Sequence, residues 1–147
     1  PQGAGYQIQQ ALIAVGSGQA TGKGFGQSIQ KFSYLPEPIG DSIFAVAGEE
    51  FGFVGSTLLV VLFGMFAVLG FRIAARAPDM FGALLVVGLV VLIVGQSFIN
   101  IASTIGLVPL AGMPLIFVSH GGTALALALA EVGIILSVSR YAKSKAA

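Results

Sequence analysis

The stretch FGFVGSTLLVVLFGMFAVLGF, residues 51–71, runs for 21 residues without a charged side chain. A helix of about 20 apolar residues crosses the roughly 30 Å hydrocarbon core of a bilayer. Lipid offers no hydrogen-bond partners to the backbone, so a single apolar segment that crosses it must be helical. We therefore predict a transmembrane helix here.

The composition of the whole chain also indicates a membrane protein. Of the 147 residues, 56% are hydrophobic and 9% are charged, and the mean hydropathy is +0.95. Soluble domains carry about 25% charged residues, so a soluble fold of this size would lack a polar surface. The net charge of +1 gives no electrostatic basis for binding nucleic acid. The sequence has no cysteine, which excludes disulfides and thiolate chemistry.

Two further apolar runs follow, at residues 80–105 and 121–138. If the three helices alternate in direction, the basic residues that follow the first and third runs lie on the same side of the membrane. The positive-inside rule makes that side cytoplasmic. These residues are Arg72, Arg76, Arg140, Lys143 and Lys145. The expected fold is an all-α integral membrane protein. It has three transmembrane helices of a larger bundle, a large outer loop with short helices and a re-entrant-like linker.

The expected boundaries follow from these runs. The segments are an outer loop with short amphipathic helices at 1–50, transmembrane helices at 51–77, 79–105 and 121–141, an outer linker at 106–120 and a cytoplasmic tail at 142–147. The linker is apolar yet contains Pro109 and Pro114, which disfavour a regular helix. Irregular backbone at membrane depth must be buried in protein or line a cavity. Because the sequence opens at Pro1, we expect it to be a piece of a longer protein.

Four of the six acidic residues gather just ahead of the first span, namely Glu37, Asp41, Glu49 and Glu50. A structural interpretation makes Asp41 a helix N-cap, Glu37 a solvated loop residue and the two later glutamates interface anchors near the headgroups. The functional interpretation is that a carboxylate near lipid, partly removed from water, acts as a general base or binds a hard cation. Position alone leaves both interpretations open.

Two other polar residues lie in apolar surroundings. His120 is the single histidine, and without cysteine it suits a hydrogen-bonded structural role better than a transition-metal site. Glu131 interrupts the third apolar run, where an ionisable residue is a functional candidate. A hydrogen bond from Gln96 or Asn100 to Glu131 is an equal alternative. The glycine-rich stretch at 16–29 fits neither Walker nor dinucleotide-binding spacing, so no nucleotide site is predicted.

Several segments carry a family resemblance when taken together and in order. They are AGYQIQQALIAVGSG (4–18), GKGFGQSIQKFSYLPEPIGDSIFAVAGEEFGFVG (22–55), RIAARAPDMFG (72–82), QSFINI (96–101) and GLVPLAGMPLIFVSHGG (106–122). The chain resembles the C-terminal part of the SEDS proteins (shape, elongation, division and sporulation), which include FtsW, RodA and SpoVE. The resemblance is closest to the FtsW division branch, or its sporulation relative, rather than to RodA.

The resemblance implies a ten-helix membrane protein that acts as a peptidoglycan glycosyltransferase. Its substrate would be lipid II, an undecaprenyl-pyrophosphate-linked disaccharide peptide, polymerised at the outer face of the bacterial cytoplasmic membrane during cell division. Its partners would be a class B penicillin-binding protein and other division proteins. The essential acid of the family falls on Asp41, the expected general base, and its preceding glutamate falls on Glu37.

Further groups are expected around Asp41. The pyrophosphate leaving group needs positive charge, which Lys23, Lys31 or a divalent cation such as Mg²⁺ or Mn²⁺ could supply. The sequence does not choose among these sources; Asp41 and Glu37 could hold such a cation, or Glu37 could instead orient Asp41. The linker side of the site is expected to be lined by Ser119, His120, Gly121 and Gly122.

The sequence departs from the family pattern close to these residues. Ile39 and Gly40 stand where the family has His-Thr, so a hydrogen bond from that threonine is absent. Ile116 replaces a proline and His120 replaces a tyrosine. The expected fold is unaffected by these changes, but the details of substrate contact do not carry over.

Two other functions fit the same residues. A lipid II flippase would use Glu131 and the polar residues between 96 and 100 as a route through the bilayer. A scaffold of the division machinery would use the small residues Gly55, Ser56 and Gly64 for helix packing. As an enzyme, the isolated 147-residue chain is expected to be inactive by itself.

Overall fold

The computed structural model describes residues 4–25, 43–109, 115–118 and 122–142. Within these ranges it contains four helices, which are α1 (Ala4–Ser17), α2 (Ile43–Ala75), α3 (Met80–Thr104) and α4 (Gly122–Arg140). Helices α2, α3 and α4 have 33, 25 and 19 residues and are long and apolar enough to cross a membrane. The predicted all-α membrane fold with three spanning helices is confirmed, and α1 is a short helix ahead of them.

Helices α2 and α3 form an antiparallel pair joined by the short segment 76–79. They cross closely at Gly70, where an added β-carbon would overlap Cγ2 of Val90. Small residues at such crossings let apolar helices approach closely in lipid, where hydrophobic attraction between them is absent. Asp79 caps the start of α3, because its Oδ1 accepts a hydrogen bond from the backbone N–H of Gly82 at 3.3 Å.

The apolar contacts lie in clusters along this pair. Towards the C-terminal end of α2, Ile135 of α4 packs with Ala74, Val86 and Val90. Towards its N-terminal end, a second cluster contains Phe44, Phe63, Ile101 and Leu115. Ile116 packs with Ile93 and Ala128 in a third. Of the described linker residues, Leu115 and Ile116 are therefore buried among the spanning helices, whereas Leu107, Val108, Phe117 and Val118 are exposed.

Helix α1 packs on the N-terminal part of α2 through small side chains. Ala11 and Ala14 are buried against Ala45, with Val15 beside them. Alanine at these positions lets the two helix backbones come close. This packing brings the chain that leaves α1 against residues 48–54 of α2, where the candidate site lies.

The buried hydroxyl groups of α3 are satisfied by the helix itself. Ser97 Oγ donates to the Ile93 carbonyl at 2.8 Å, while Ser103 Oγ and Thr104 Oγ1 both donate to the Asn100 carbonyl at 2.9 Å. Back-bonding of this kind gives each buried hydroxyl a hydrogen-bond partner in an apolar interior. Glu131, the acid within α4, is half-buried.

Candidate functional site

The long helix α2 is interrupted at Gly52. The backbone there has φ 69° and ψ −165°, which is not helical. A positive φ of this kind strongly favours glycine, because a side chain would be strained. The interruption, called here the helix break, divides α2 into a lead segment, residues 43–51, and a main segment, residues 53–75.

The helix break is completed by residues that follow α1, called here the 18–25 loop. In an unbroken helix the Glu49 and Glu50 carbonyls would accept from the N–H groups of residues 53 and 54. Instead, Lys23 N donates to Glu49 O at 2.9 Å, and Gly24 N donates to Glu50 O at 3.0 Å. The displaced N–H groups find acceptors in the same loop.

Those acceptors are backbone carbonyls of residues 19 and 20. Phe53 N donates to Gln19 O at 2.7 Å, and Val54 N donates to Ala20 O at 3.3 Å. The loop thus supplies two donors and two acceptors to the groups that the helix break would otherwise leave without partners. Buried backbone groups require such partners, and the requirement is strictest at membrane depth.

Glycines allow this close approach. A β-carbon on Gly22 would overlap the Glu50 carbonyl oxygen, and a β-carbon on Gly52 would overlap the backbone nitrogen of Gly22. Gly22 also has a positive φ, of 79°. Both positions therefore need glycine for two reasons, which are the backbone conformation and the lack of space.

An ion pair lies beside these backbone contacts. Lys23 Nζ is 2.9 Å from Glu49 Oε1, and it donates a hydrogen bond to that oxygen. The Glu49 side chain is fully buried, while that of Lys23 is 35% exposed. Removing a carboxylate from water is costly unless positive charge and hydrogen bonds compensate. The pair therefore links the 18–25 loop to the lead segment through a partner that the buried acid needs.

A second acid and an aromatic contact also lie where the 18–25 loop packs against residues 49–54, a contact called here the junction. Glu50 is 5% exposed, and its Oε1 has no hydrogen-bond partner among the described residues. The rings of Phe25 and Phe51 lie with centroids 6.1 Å apart, one on each side of the junction. The junction therefore combines backbone bonds, a buried ion pair and a ring contact.

The predicted site residues fall partly within the described structure. Lys23, proposed from the sequence to hold pyrophosphate, forms the ion pair with Glu49. Gly122 is the exposed first residue of α4. The remaining predicted residues lie outside the described residues, and their roles stay predictions; they are Lys31, Glu37, Asp41, Ser119, His120 and Gly121.

The interpretation of Glu49 and Glu50 as interface anchors is wrong. Both side chains are buried inside the protein, so neither reaches the headgroups. The physical reason is the helix break, which brings the 18–25 loop over this part of α2 and covers it. The sequence carried one signal, because Gly52 directly follows two acids and one aromatic residue. Glycine is nevertheless common in membrane helices, and the loop is some 30 residues away in the chain.

These features define the class of protein to which the chain belongs. Three spanning helices, one of them broken and completed by a preceding loop, describe part of a polytopic helical membrane protein. A family model described as "Cell cycle protein" and covering FtsW, RodA and SpoVE matches residues 1–144. The chain belongs to this family.

Individual relatives agree with this assignment. Stage V sporulation protein E of Bacillus subtilis (strain 168) is 50% identical over 143 residues, covering 97% of this chain and 39% of that protein. The "Probable peptidoglycan glycosyltransferase FtsW" of the same organism is 42% identical over 139 residues, covering 95% and 34%. The sporulation protein is the more similar of these two.

A solved structure also matches the fold. It is described as "Structural coordination of polymerization and crosslinking by a peptidoglycan synthase complex", and the match has a TM-score of 0.72 at 26% identity. It covers 90% of this chain and 36% of that one. The chain therefore spans less than two fifths of the length of the relatives that it matches.

Proposed function

We propose that this chain is part of a peptidoglycan glycosyltransferase that polymerises lipid II into glycan strands. The observation that carries the proposal is 42% identity, over 95% of the chain, to a protein named as a probable peptidoglycan glycosyltransferase. Catalysis is assigned to the segment that precedes the lead segment of α2, because that segment holds Glu37 and Asp41.

In the proposed reaction Asp41 is the general base. The 4-hydroxyl of a lipid-linked N-acetylglucosamine attacks the anomeric carbon of the N-acetylmuramyl end of another chain. Asp41 accepts the hydroxyl proton as the new C–O bond forms, and the bond to undecaprenyl pyrophosphate breaks. General-base assistance of this kind contributes about 10²–10⁴-fold in rate. Glu37 orients Asp41.

The leaving pyrophosphate requires compensating positive charge. Lys23 shares its charge with the buried Glu49, which makes it a weaker source than Lys31. A divalent cation, Mg²⁺ or Mn²⁺, is the other source, and it would stabilise the negative charge that develops on the leaving group. The described residues contain no group of three or more His, Cys, Asp or Glu side chains that could hold a metal ion. We propose Glu37 and Asp41 as the residues that would hold such a cation, because hard cations prefer carboxylate oxygens as ligands.

The proposed location is the bacterial cytoplasmic membrane, with the site at its outer face. The basic residues after α2 and α4 support this orientation through the positive-inside rule. The proposed partner is a class B penicillin-binding protein, together with other division proteins. The solved structure that matches this fold belongs to a synthase complex that coordinates polymerization with crosslinking, which supports a partner that crosslinks.

The test is Asp41→Asn in the protein at its full natural length, purified with its penicillin-binding partner and supplied with lipid II in detergent. We expect glycan polymerisation to fall by about 10²-fold or more, because asparagine cannot accept the proton. Asp79→Asn is the matched control, since Asp79 caps α3 and asparagine is an equally good cap. Polymerisation by Asp41→Asn at the wild-type rate would rule out the base role.

The same assay separates the two alternative functions. A flippase would form no glycan chains from lipid II that is already accessible in detergent. If the protein is a scaffold, Asp41→Asn would change neither the binding of its partners nor the measured activity.

A further inference from the structure

We propose that Lys23 and Glu49 are positioning residues that fix the lead segment of α2, and with it Asp41, relative to the membrane-spanning helices. This inference rests on the proposed function. It assigns Lys23 to the protein's own Glu49 rather than to the substrate pyrophosphate. The device consists of the ion pair, the 18–25 loop and the helix break.

The junction closes a loop in the chain. The 18–25 loop lies against residues 49–54 through four backbone hydrogen bonds that cross between the segments. Phe25 and Phe51 are also in ring contact there. Every residue between these two phenylalanines therefore belongs to a segment whose two ends are held together. That segment includes both proposed catalytic acids, Glu37 and Asp41.

The lead segment transmits the position of the junction towards Asp41. Asp41 precedes Ile43, the first residue of α2, by only two positions, which is about 7 Å of chain at full extension. Residues 43–51 form a helix about 13 Å long. A tilt of about 10° at the helix break would therefore move its far end by roughly 2 Å. Misplacement by about 1 Å can cost 10²-fold in rate, so a small opening at the junction is sufficient to impair catalysis.

The ion pair resists such a tilt because of where its two charges lie. Glu49 sits on the lead segment and is fully buried, while Lys23 reaches it from the loop. Glu50, buried beside it, adds a second carboxyl group to the same junction. The fold thus holds the Lys23 ammonium beside a buried carboxylate of the lead segment. Removing its charge takes away the ion pair that joins the loop to the lead segment, which favours separation of the two.

The main experiment uses Lys23→Gln, Lys23→Arg, Glu49→Gln and the double variant Lys23→Gln/Glu49→Gln in the full-length protein with its partner. We expect Lys23→Gln to lower kcat by about 10- to 100-fold with KM changed less than about twofold. Lys23→Arg keeps the charge and should recover most of the lost rate. The double variant should be no slower than Lys23→Gln, because both charges of one interaction are gone.

Hydrogen exchange gives a readout independent of catalysis. Amides of residues 43–51 should exchange faster in Lys23→Gln than in the wild type, whereas those of α3 should be unchanged. If Glu49→Gln fails to fold, the comparison of Lys23→Gln with Lys23→Arg still tests the inference, because Lys23 is partly exposed and its substitution is tolerated more easily.

Three outcomes would overturn the inference. The first is a raised KM with unchanged kcat in Lys23→Gln, which would mean that Lys23 binds the substrate. The second is an unchanged kcat in Lys23→Gln although the amides of residues 43–51 exchange faster. The third is strict additivity of the effects of Lys23→Gln and Glu49→Gln on kcat. Asp41→Asn is measured in parallel. If that variant is inactive while Lys23→Gln is fully active, only the positioning role fails, whereas an active Asp41→Asn enzyme removes the proposed function itself.

Discussion

Gly22 and Gly52 lie against each other at the helix break, and neither has room for a β-carbon. The β-carbon of a residue at 52 would overlap Gly22 N and would lie 2.7 Å from Ala20 O, while one at 22 would overlap Glu50 O. Both glycines have positive φ, so each is required by conformation as well as by space. This pair of glycines is what lets a loop replace part of a membrane helix.

Gly52→Ala should therefore destabilise the protein. The substitution forces alanine into an unfavourable backbone conformation, which costs of order 1–3 kcal/mol, and it separates the loop from the lead segment. Thermal unfolding in detergent measures the effect. Gly64→Ala is the matched control on the same helix, because nothing lies within 4 Å of a β-carbon there. Equal stability of the two variants would contradict the geometry of the helix break.

The crossing of α2 and α3 gives a second prediction. Gly70→Ala should lower the unfolding temperature, because the new methyl group overlaps Cγ2 of Val90. Val90→Ala in the same protein should recover part of the loss by making space, although it creates its own packing defect. Gly88→Ala on α3 meets open space and should have little effect. If Val90→Ala brings no recovery in the Gly70→Ala background, the assigned contact is wrong.

Asp79→Ala should remove the cap of α3. The Asp79 carboxylate accepts from Gly82 N, and loss of such a cap costs about 0.5–2 kcal/mol. Asp79→Asn should retain nearly all the stability, since asparagine is also a good cap. Chemical unfolding of the purified protein measures both variants. A loss in Asp79→Asn as large as in Asp79→Ala would show that the negative charge, rather than the cap, matters.

Removal of divalent cations tests the source of positive charge at the leaving group. We expect EDTA to suppress lipid II polymerisation and added Mg²⁺ or Mn²⁺ to restore it, because Lys23 is already paired with Glu49. The measurement is glycan chain formation before and after re-addition, with Ca²⁺ as a comparison ion. Full activity in EDTA would assign the compensating charge to Lys31 instead, and Lys31→Gln should then be strongly impaired.

Much of the fold could be predicted from the sequence because hydropathy is a local property. The uncharged run at residues 51–71 predicts a helix that crosses the lipid, and the apolar runs that form α3 and α4 do the same. The gathering of acids ahead of the first span was equally visible. The burial of Glu49 could not be predicted from the sequence, because burial depends on what packs over a residue and not on its own side chain.

The sequence by itself determined that this is an all-α membrane protein with three spanning helices, and it predicted an essential acid at Asp41. Only the tertiary structure decided that α2 breaks at Gly52 and that Lys23 pairs with Glu49. The physical reason is the distance along the chain between the residues that each effect involves. Partition into lipid is the sum of contributions from neighbouring residues, whereas a broken helix is stable only if distant backbone groups replace the bonds that it has lost.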